Sequence, residues 1–122
     1  MRKGGPSAGA LGEEEAARHL QSEGWSILAR NYRCRFGEID IVAQRADEVA
    51  FVEVKSWKAL GRADLEYAVD RRKQGRVALT ARRYLAENRG LAGRRMRFDV
   101  VFLGPEEPGV RHIERAFDGG ID

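Results

Sequence analysis

Two consecutive segments constrain this chain more than any others: GEIDIVAQ at 37–44 and VAFVEVK at 49–55, separated by a polar turn at 45–48. Both are rich in β-branched residues and read as strands. With the turn centred between Ala46 and Asp47, opposed residues have numbers that sum to 93, so Asp40 faces Glu53, Glu38 faces Lys55 and Val42 faces Phe51. Strand alternation puts Glu38, Asp40 and Val42 on one face and Ile39, Ile41 and Ala43 on the other. Phe51, Glu53 and Lys55 likewise share a face.

Such an arrangement is unfavourable unless something occupies it. Directly opposed residues have Cβ atoms about 4.5–5.5 Å apart. Two carboxylates at that separation repel by roughly 3 kcal/mol at an effective dielectric near 20. A divalent cation between them turns the repulsion into binding. An all-oxygen donor set suits Mg²⁺ or Mn²⁺, and zinc is not expected without a Cys or His cluster. Lys55 would stand beside the metal. The alternative is an ordinary solvent-facing pair of strands, with Glu38 and Lys55 as a cross-strand ion pair. Three features weigh against it: the apolar setting of Val52-Glu53-Val54-Lys55, a carboxylate on the inward face of the first helix, and a strongly basic helix downstream.

That first helix is predicted over about Ala8–Glu23, stopped by Gly24. Ala16, Ala17 and Leu20 form its apolar stripe, and Glu13 lies three, four and seven residues before them, on the same inward side. A first strand is predicted over Trp25–Arg33. After the hairpin, 61–69 reads as a short helix or a loop. Asp70 looks like the cap of a long helix over about 71–88, with Val77, Ala78, Ala81 and Leu85 as its stripe and Asn88 and Gly90 at its end. Met96–Leu103 and Val110–Phe117 complete the strands. The order α-β-β-β-α-β-β implies an α/β fold with a single mixed sheet flanked by helices. Residues 1–8 are expected to be a flexible N-terminus and 9–122 a single domain.

Composition limits the alternatives. At 43% hydrophobic and 34% charged, the 122-residue chain suits one folded domain rather than a disordered one. No run approaches the roughly 20 apolar residues that span a bilayer. The opening MRKGGPSAGALGEEE lacks the apolar core of a signal peptide, so no membrane association and a cytoplasmic location are expected. Cys34 is the one cysteine, which fits a reducing compartment. It reads as a small apolar residue near a turn, because a nucleophile needs a base and neither His19 nor His112 lies in a recognisable motif. The net charge of +3 is mild, but its distribution is not. Residues 71–97 hold Arg71, Arg72, Lys73, Arg76, Arg82, Arg83, Arg89, Arg94, Arg95 and Arg97 against Glu87 alone. Such segregation suits a polyanionic partner, nucleic acid above all.

The strings GEEEAARHL (12–20), GEID (37–40), FVEVK (51–55) and RFDVV (97–101) occur in an order that resembles the YraN-like family of small bacterial proteins. That family is similar to archaeal Holliday junction resolvases and belongs to the PD-(D/E)xK superfamily. The resemblance implies a restriction-endonuclease-like domain that hydrolyses phosphodiester bonds in DNA, with selectivity for branched forms such as Holliday junctions. It assigns Asp40, Glu53 and Lys55 to the catalytic pattern and Glu13 to the helical acid of resolvase-like members. Lys73 and Gln74 fall where related nucleases often place a polar helper. One departure matters: relatives follow the lysine with a small hydroxylic residue and then Arg, whereas this chain has Ser56-Trp57-Lys58, so Lys58 is the substitute phosphate contact.

The expectation is then a Mg²⁺- or Mn²⁺-dependent endonuclease. Asp40, Glu53, the Val54 carbonyl and Glu13 are its metal ligands. Lys55 orients the attacking water. Arg72, Lys73, Arg76, Arg83 and Lys58, with Arg94–Arg97, grip the phosphate backbone. A homodimer is expected by analogy with resolvases. The competing expectation is a non-catalytic nucleic-acid-binding or protein-interaction module that keeps the fold.

Overall fold

Helix α1 (Ala8–Ser22) buries Ala16, Ala17 and Leu20 and ends at Gly24, whose φ of +93° favours glycine. There the Trp25 N–H donates to the Leu20 carbonyl and the Gly24 N–H to that of Gln21, both at 3.0 Å, closing the last turn in a Schellman motif. The computed structural model describes residues 8–56, 71–104 and 109–117. The remaining elements are β1 (Ser26–Cys34), β2 (Gly37–Arg45), β3 (Glu48–Ser56), α2 (Arg71–Glu87), β4 (Arg95–Leu103) and β5 (Val110–Phe117). A 3₁₀ turn at Arg89–Leu91, not expected from the sequence, follows α2. The segment 61–69, the Asp70 cap and Lys58 lie outside the described residues.

The five strands form one sheet in the order β1-β2-β3-β4-β5. All neighbours are antiparallel except β3 and β4, which run parallel. That is the pair whose connection contains α2, and a parallel pair requires such a crossover. The sheet is therefore mixed, as expected. Its two faces carry separate cores. One packs Ala16, Ala17 and Leu20 of α1 with Trp25, Ile41, Ala43, Ala50, Val52 and Val101. The other packs Val77, Ala78, Ala81 and Tyr84 of α2 with Val42, Val49, Phe51 and Phe98. No helix among the described residues is long and apolar enough to cross a membrane.

The predicted hairpin register holds at Arg45↔Glu48, Val42↔Phe51 and Ile41↔Val52, and there it stops. Asp40 does not continue the ladder opposite Glu53. Beyond Ile41, β2 stays with β1 as far as Cys34↔Gly37, while β3 stays with β4 as far as Ser56↔Leu103. The sheet thus splits between β2 and β3. Face alternation breaks at the same level. Ile39 was expected beside Ile41, yet Ile41 packs beneath α1 and Ile39 beneath α2. The neighbouring strand β1 is irregular at the same level. Its pairing with β2 passes from Arg30↔Ile41 to Tyr32↔Ile39, and the intervening Asn31 has φ +54°. A left-handed residue rotates the following side chains. Tyr32 joins Ile39 on the α2 side, where its ring meets Tyr84 edge-on at 5.0 Å.

Candidate active site

Asp40 sits at the point where β2 leaves β3. Its Oδ2 accepts the Val54 N–H at 2.7 Å, so a side chain satisfies the donor that the parted strand leaves behind. Glu53 is one residue back on β3, with its side chain only 14% exposed. Its Oε2 lies 3.1 Å from the Lys55 Nζ and accepts a hydrogen bond from the Lys73 Nζ of α2 at 2.7 Å. The split opens a cavity of about 180 Å³ lined by Gly37, Glu38, Asp40, Glu53, Lys73, Arg76 and Val77. Gly37 has φ +152°, and a Cβ there would stand 3.4 Å from the Thr80 Oγ1 of α2. The glycine of GEID therefore lets the end of β2 come against α2 and close the cavity wall.

Glu13 is half-buried near the start of α1, and its charge reaches Asp40. The neighbouring Gly12 holds that end of the helix against β4, since a Cβ there would lie 2.9 Å from the Leu103 Cδ1. Glu38 is exposed and pairs with Arg33 across β1 at 3.3 Å, not with Lys55 as the extended register required.

Burial pushes the Asp40 carboxyl up from 3.8 to about 6. The Val54 N–H opposes this, while the carboxylates of Glu53, Glu13 and Glu38 add to it. The sign of the stability effect follows. The unfolded chain releases this proton near 3.8 and the folded chain near 6, so between these values the folded state holds more protons. The associated stability is present below the lower value and is lost as pH rises through the upper one, roughly 3 kcal/mol in all. Asp40→Asn keeps an acceptor for Val54 and removes the titration. It is expected to stabilise the protein in EDTA at neutral pH by up to about 3 kcal/mol, with the gain vanishing toward acid. Urea unfolding of both proteins across that range checks this; a difference independent of pH would show that Asp40 is not the strained group.

The donor set suits a hard divalent cation. Asp40 and Glu53 offer carboxylate oxygens on one small cavity, and a cation there would offset the burial that raises Asp40 and the smaller repulsion from the neighbouring carboxylates. An ion on Glu53 would compete with Lys73 for the same oxygen.

The structure thus brings Asp40, Glu53, Lys55 and Lys73 together, with Glu13 and Arg76 at the margin. Lys73 reaches the centre of the site through its hydrogen bond to Glu53. Arg72 and Arg76 are exposed on α2. Arg83 is held by Glu87 at 2.8 Å, and Glu87 also accepts the Tyr32 hydroxyl. Cys34, the last residue of β1, takes the Phe36 N–H on its Sγ at 3.4 Å.

One expectation fails outright. Arg97 does not grip an external backbone, because its side chain is 3% exposed and bonded to Asp99, Glu48 and Glu114. Arg95 is engaged with Asp47 through two contacts of 3.1 Å. The signal for Arg97 was in RFDVV: an Arg and an Asp two apart share a strand face, and an apolar run around them favours pairing with each other.

The family model described as "Uncharacterised protein family UPF0102" matches residues 12–103. A UPF0102 protein of Myxococcus xanthus (strain DK1622) is 42% identical over 99% of this chain and 100% of its own length. One from Lachnoclostridium phytofermentans is 46% identical over 90% of the chain and 92% of its own, and one from Treponema pallidum (strain Nichols) 40% over 97% and 98%. By this match over most of its length, the chain belongs to the UPF0102 family, the YraN-like group that its motifs resemble.

Proposed function

We propose that this protein is a Mg²⁺- or Mn²⁺-dependent DNA endonuclease of the cytoplasm, directed at branched DNA. The observation that carries the reading is the strand split, which leaves a half-buried, mutually repelling carboxylate pair on one cavity beside two lysines. Asp40 and Glu53 hold the ion, with the Val54 carbonyl and Glu13 completing or orienting its shell. A divalent ion there supplies charge that activates water and polarises the phosphate. Lys55, close to Glu53, orients the attacking water and meets negative charge on the scissile phosphate. Lys73 releases Glu53 and turns to the same phosphate. A homodimer would present two such sites to a two-fold junction.

A second reading has one observation in its favour. Glu53 already has two ammonium partners, which is what a metal-free nucleic-acid-binding module would need. Calorimetric titration with Mg²⁺ and Mn²⁺, for wild type and Asp40→Ala, separates the two. It is paired with a panel of labelled branched, duplex and single-stranded substrates. Saturable binding lost in the variant, together with cleavage, supports the nuclease; DNA binding without either supports the module.

Exposed arginines of α2 are expected to contact phosphates. Replacing Arg72 and Arg76 with Gln should reduce the slope of log affinity against log salt by up to about two phosphate contacts, with little change in sequence preference. Adding Arg83→Gln should change the slope little more, because Glu87 already engages that guanidinium. A slope unchanged by the first two replacements would leave α2 a solvated face.

A further inference from the structure

The two histidines lie 93 positions apart in sequence, one on α1 and one on β5, yet their rings meet edge-on with centroids 6.1 Å apart. Between them stands Glu23, just past the end of α1. We propose that His19 Nε2, the Glu23 carboxylate and His112 Nδ1 form a metal site for a borderline transition-metal ion of the Zn²⁺ class, separate from the carboxylate cavity.

Four observations support the site. First, the candidate ligand atoms all lie within 4.8 Å of one another. Second, the Glu23 carboxylate stands within reach of both rings, one oxygen toward each. His19 Nε2 is 3.5 Å from Glu23 Oε2, and His112 Nδ1 is 3.6 Å from Glu23 Oε1. Both separations exceed a good hydrogen bond. Ligands held tetrahedrally about 2.0–2.1 Å from zinc stand roughly 3.3–3.4 Å apart, so small rotations suffice. Third, the His112 side chain is 6% exposed and its Nδ1 has no hydrogen-bond partner. A buried ring nitrogen without a partner is unfavourable, and here it points at Glu23. Fourth, the opposite nitrogen is anchored: His112 Nε2 lies 2.6 Å from Asp99 Oδ2. Asp99 is fixed in turn by Arg97 and by the Arg115 N–H. A carboxylate that accepts a hydrogen bond from the Nε2–H keeps the proton on that nitrogen, leaves the Nδ1 lone pair for a metal and sets the ring's orientation.

The chemistry separates this site from the first one. Two imidazoles and a carboxylate favour a borderline ion, whereas Asp40 and Glu53 favour a hard one. Glu23 follows Glu13 by ten positions, a rise of about 15 Å along α1 and its last turn. An ion here would pin the end of α1 to β5, opposite the helix end that carries Glu13. Three protein ligands leave a position for water, and Glu23 is exposed enough to admit the ion. The competing arrangement puts a proton in the metal's place, with a His112 imidazolium between Asp99 and Glu23.

The test uses the full chain as wild type, Asp40→Ala, His19→Ala and Glu23→Gln. Zn²⁺ is titrated by calorimetry, and Co²⁺ is followed by its visible absorption. Wild type and Asp40→Ala are expected to bind one Zn²⁺ each through this site, to show the intense bands of tetrahedral Co²⁺, and to melt higher with Zn²⁺. His19→Ala and Glu23→Gln should each weaken binding by at least about 100-fold and lose the Co²⁺ bands. Both replaced residues lie at the surface end of the helix, and metal-free melts confirm that each variant folds; if one fails, the other decides. Absence of Zn²⁺ binding and Co²⁺ bands in Asp40→Ala, or binding unchanged by the folded His19 or Glu23 variant, overturns the proposal in favour of the imidazolium.

Discussion

Asp40→Ala, Glu53→Ala and Lys55→Ala are each expected to lower metal-dependent cleavage by at least about 10³-fold. Groups that hold one ion and one water act as a unit, so losing any member removes most of the rate. The three differ in how they fail. Asp40→Ala removes a ligand and leaves the Val54 N–H without its acceptor, so both metal affinity and local order at the strand split should suffer. Glu53→Ala should weaken metal binding and release Lys73. Lys55→Ala should retain metal binding and lose turnover, because its role is toward water and phosphate. Lys73→Gln provides a further check, since removing a competing ammonium should tighten metal binding even as cleavage falls. Single-turnover assays beside calorimetry separate these patterns. Cleavage that persists in EDTA, or Asp40→Ala at wild-type rate, would rule out this assignment. Failure of the wild type to cut any substrate with either ion would favour the binding module.

Asp99→Ala is expected to destabilise the fold by about 3–5 kcal/mol, the largest stability effect anticipated for a single side chain here. The Asp99 side chain is fully buried. It takes two contacts from Arg97 at 3.1 and 2.8 Å, the His112 ring at 2.6 Å and the Arg115 N–H at 3.1 Å. Burial alone would push its carboxyl up, yet hydrogen bonds from His112 and Arg97 outweigh it and hold the group below its usual value. Its stability contribution is therefore present above 3.8 and lost as acid takes the pH through the lower folded value. Removing Asp99 would leave Arg97, packed over Trp25 at 4.9 Å, with Glu48 and Glu114 as its remaining acids. The exposed pair Arg95–Asp47 has similar two-contact geometry but stands in water, where solvent screens it, so Asp47→Ala should cost far less than Asp99→Ala. Urea unfolding of the two variants makes the comparison. A loss for Asp99→Ala no larger than that for Asp47→Ala would show that the buried network is not what holds β4 to β5.

Local pattern was enough for the element order, for the inward stripe of α1 and for the hairpin register near its turn. Alternation of period two and helical spacing are properties of neighbouring residues, and a short turn fixes which residues oppose each other beside it. Asp40, Glu53 and Lys55 were legible for the same reason: acids in an apolar hairpin are unfavourable without a partner. Packing between distant elements decided the rest. The ladder that simple extrapolation continued ends at Ile41, level with a left-handed Asn31 on β1 and an Asp40 side chain bonded to Val54, and the expected opposed pair borders a cavity instead. Lys73 looked like one cation in a basic helix, but α2 crosses the sheet where its ammonium reaches Glu53. Arg97 looked equally basic, yet strand position put it inside, where three acids neutralise it. His19 and His112 carried no motif because nothing local relates them; only β5 returning beside the end of α1 brings them together. A charge pattern states which groups need partners, and the partner each one finds depends on which surfaces the folded sheet and helices press against each other.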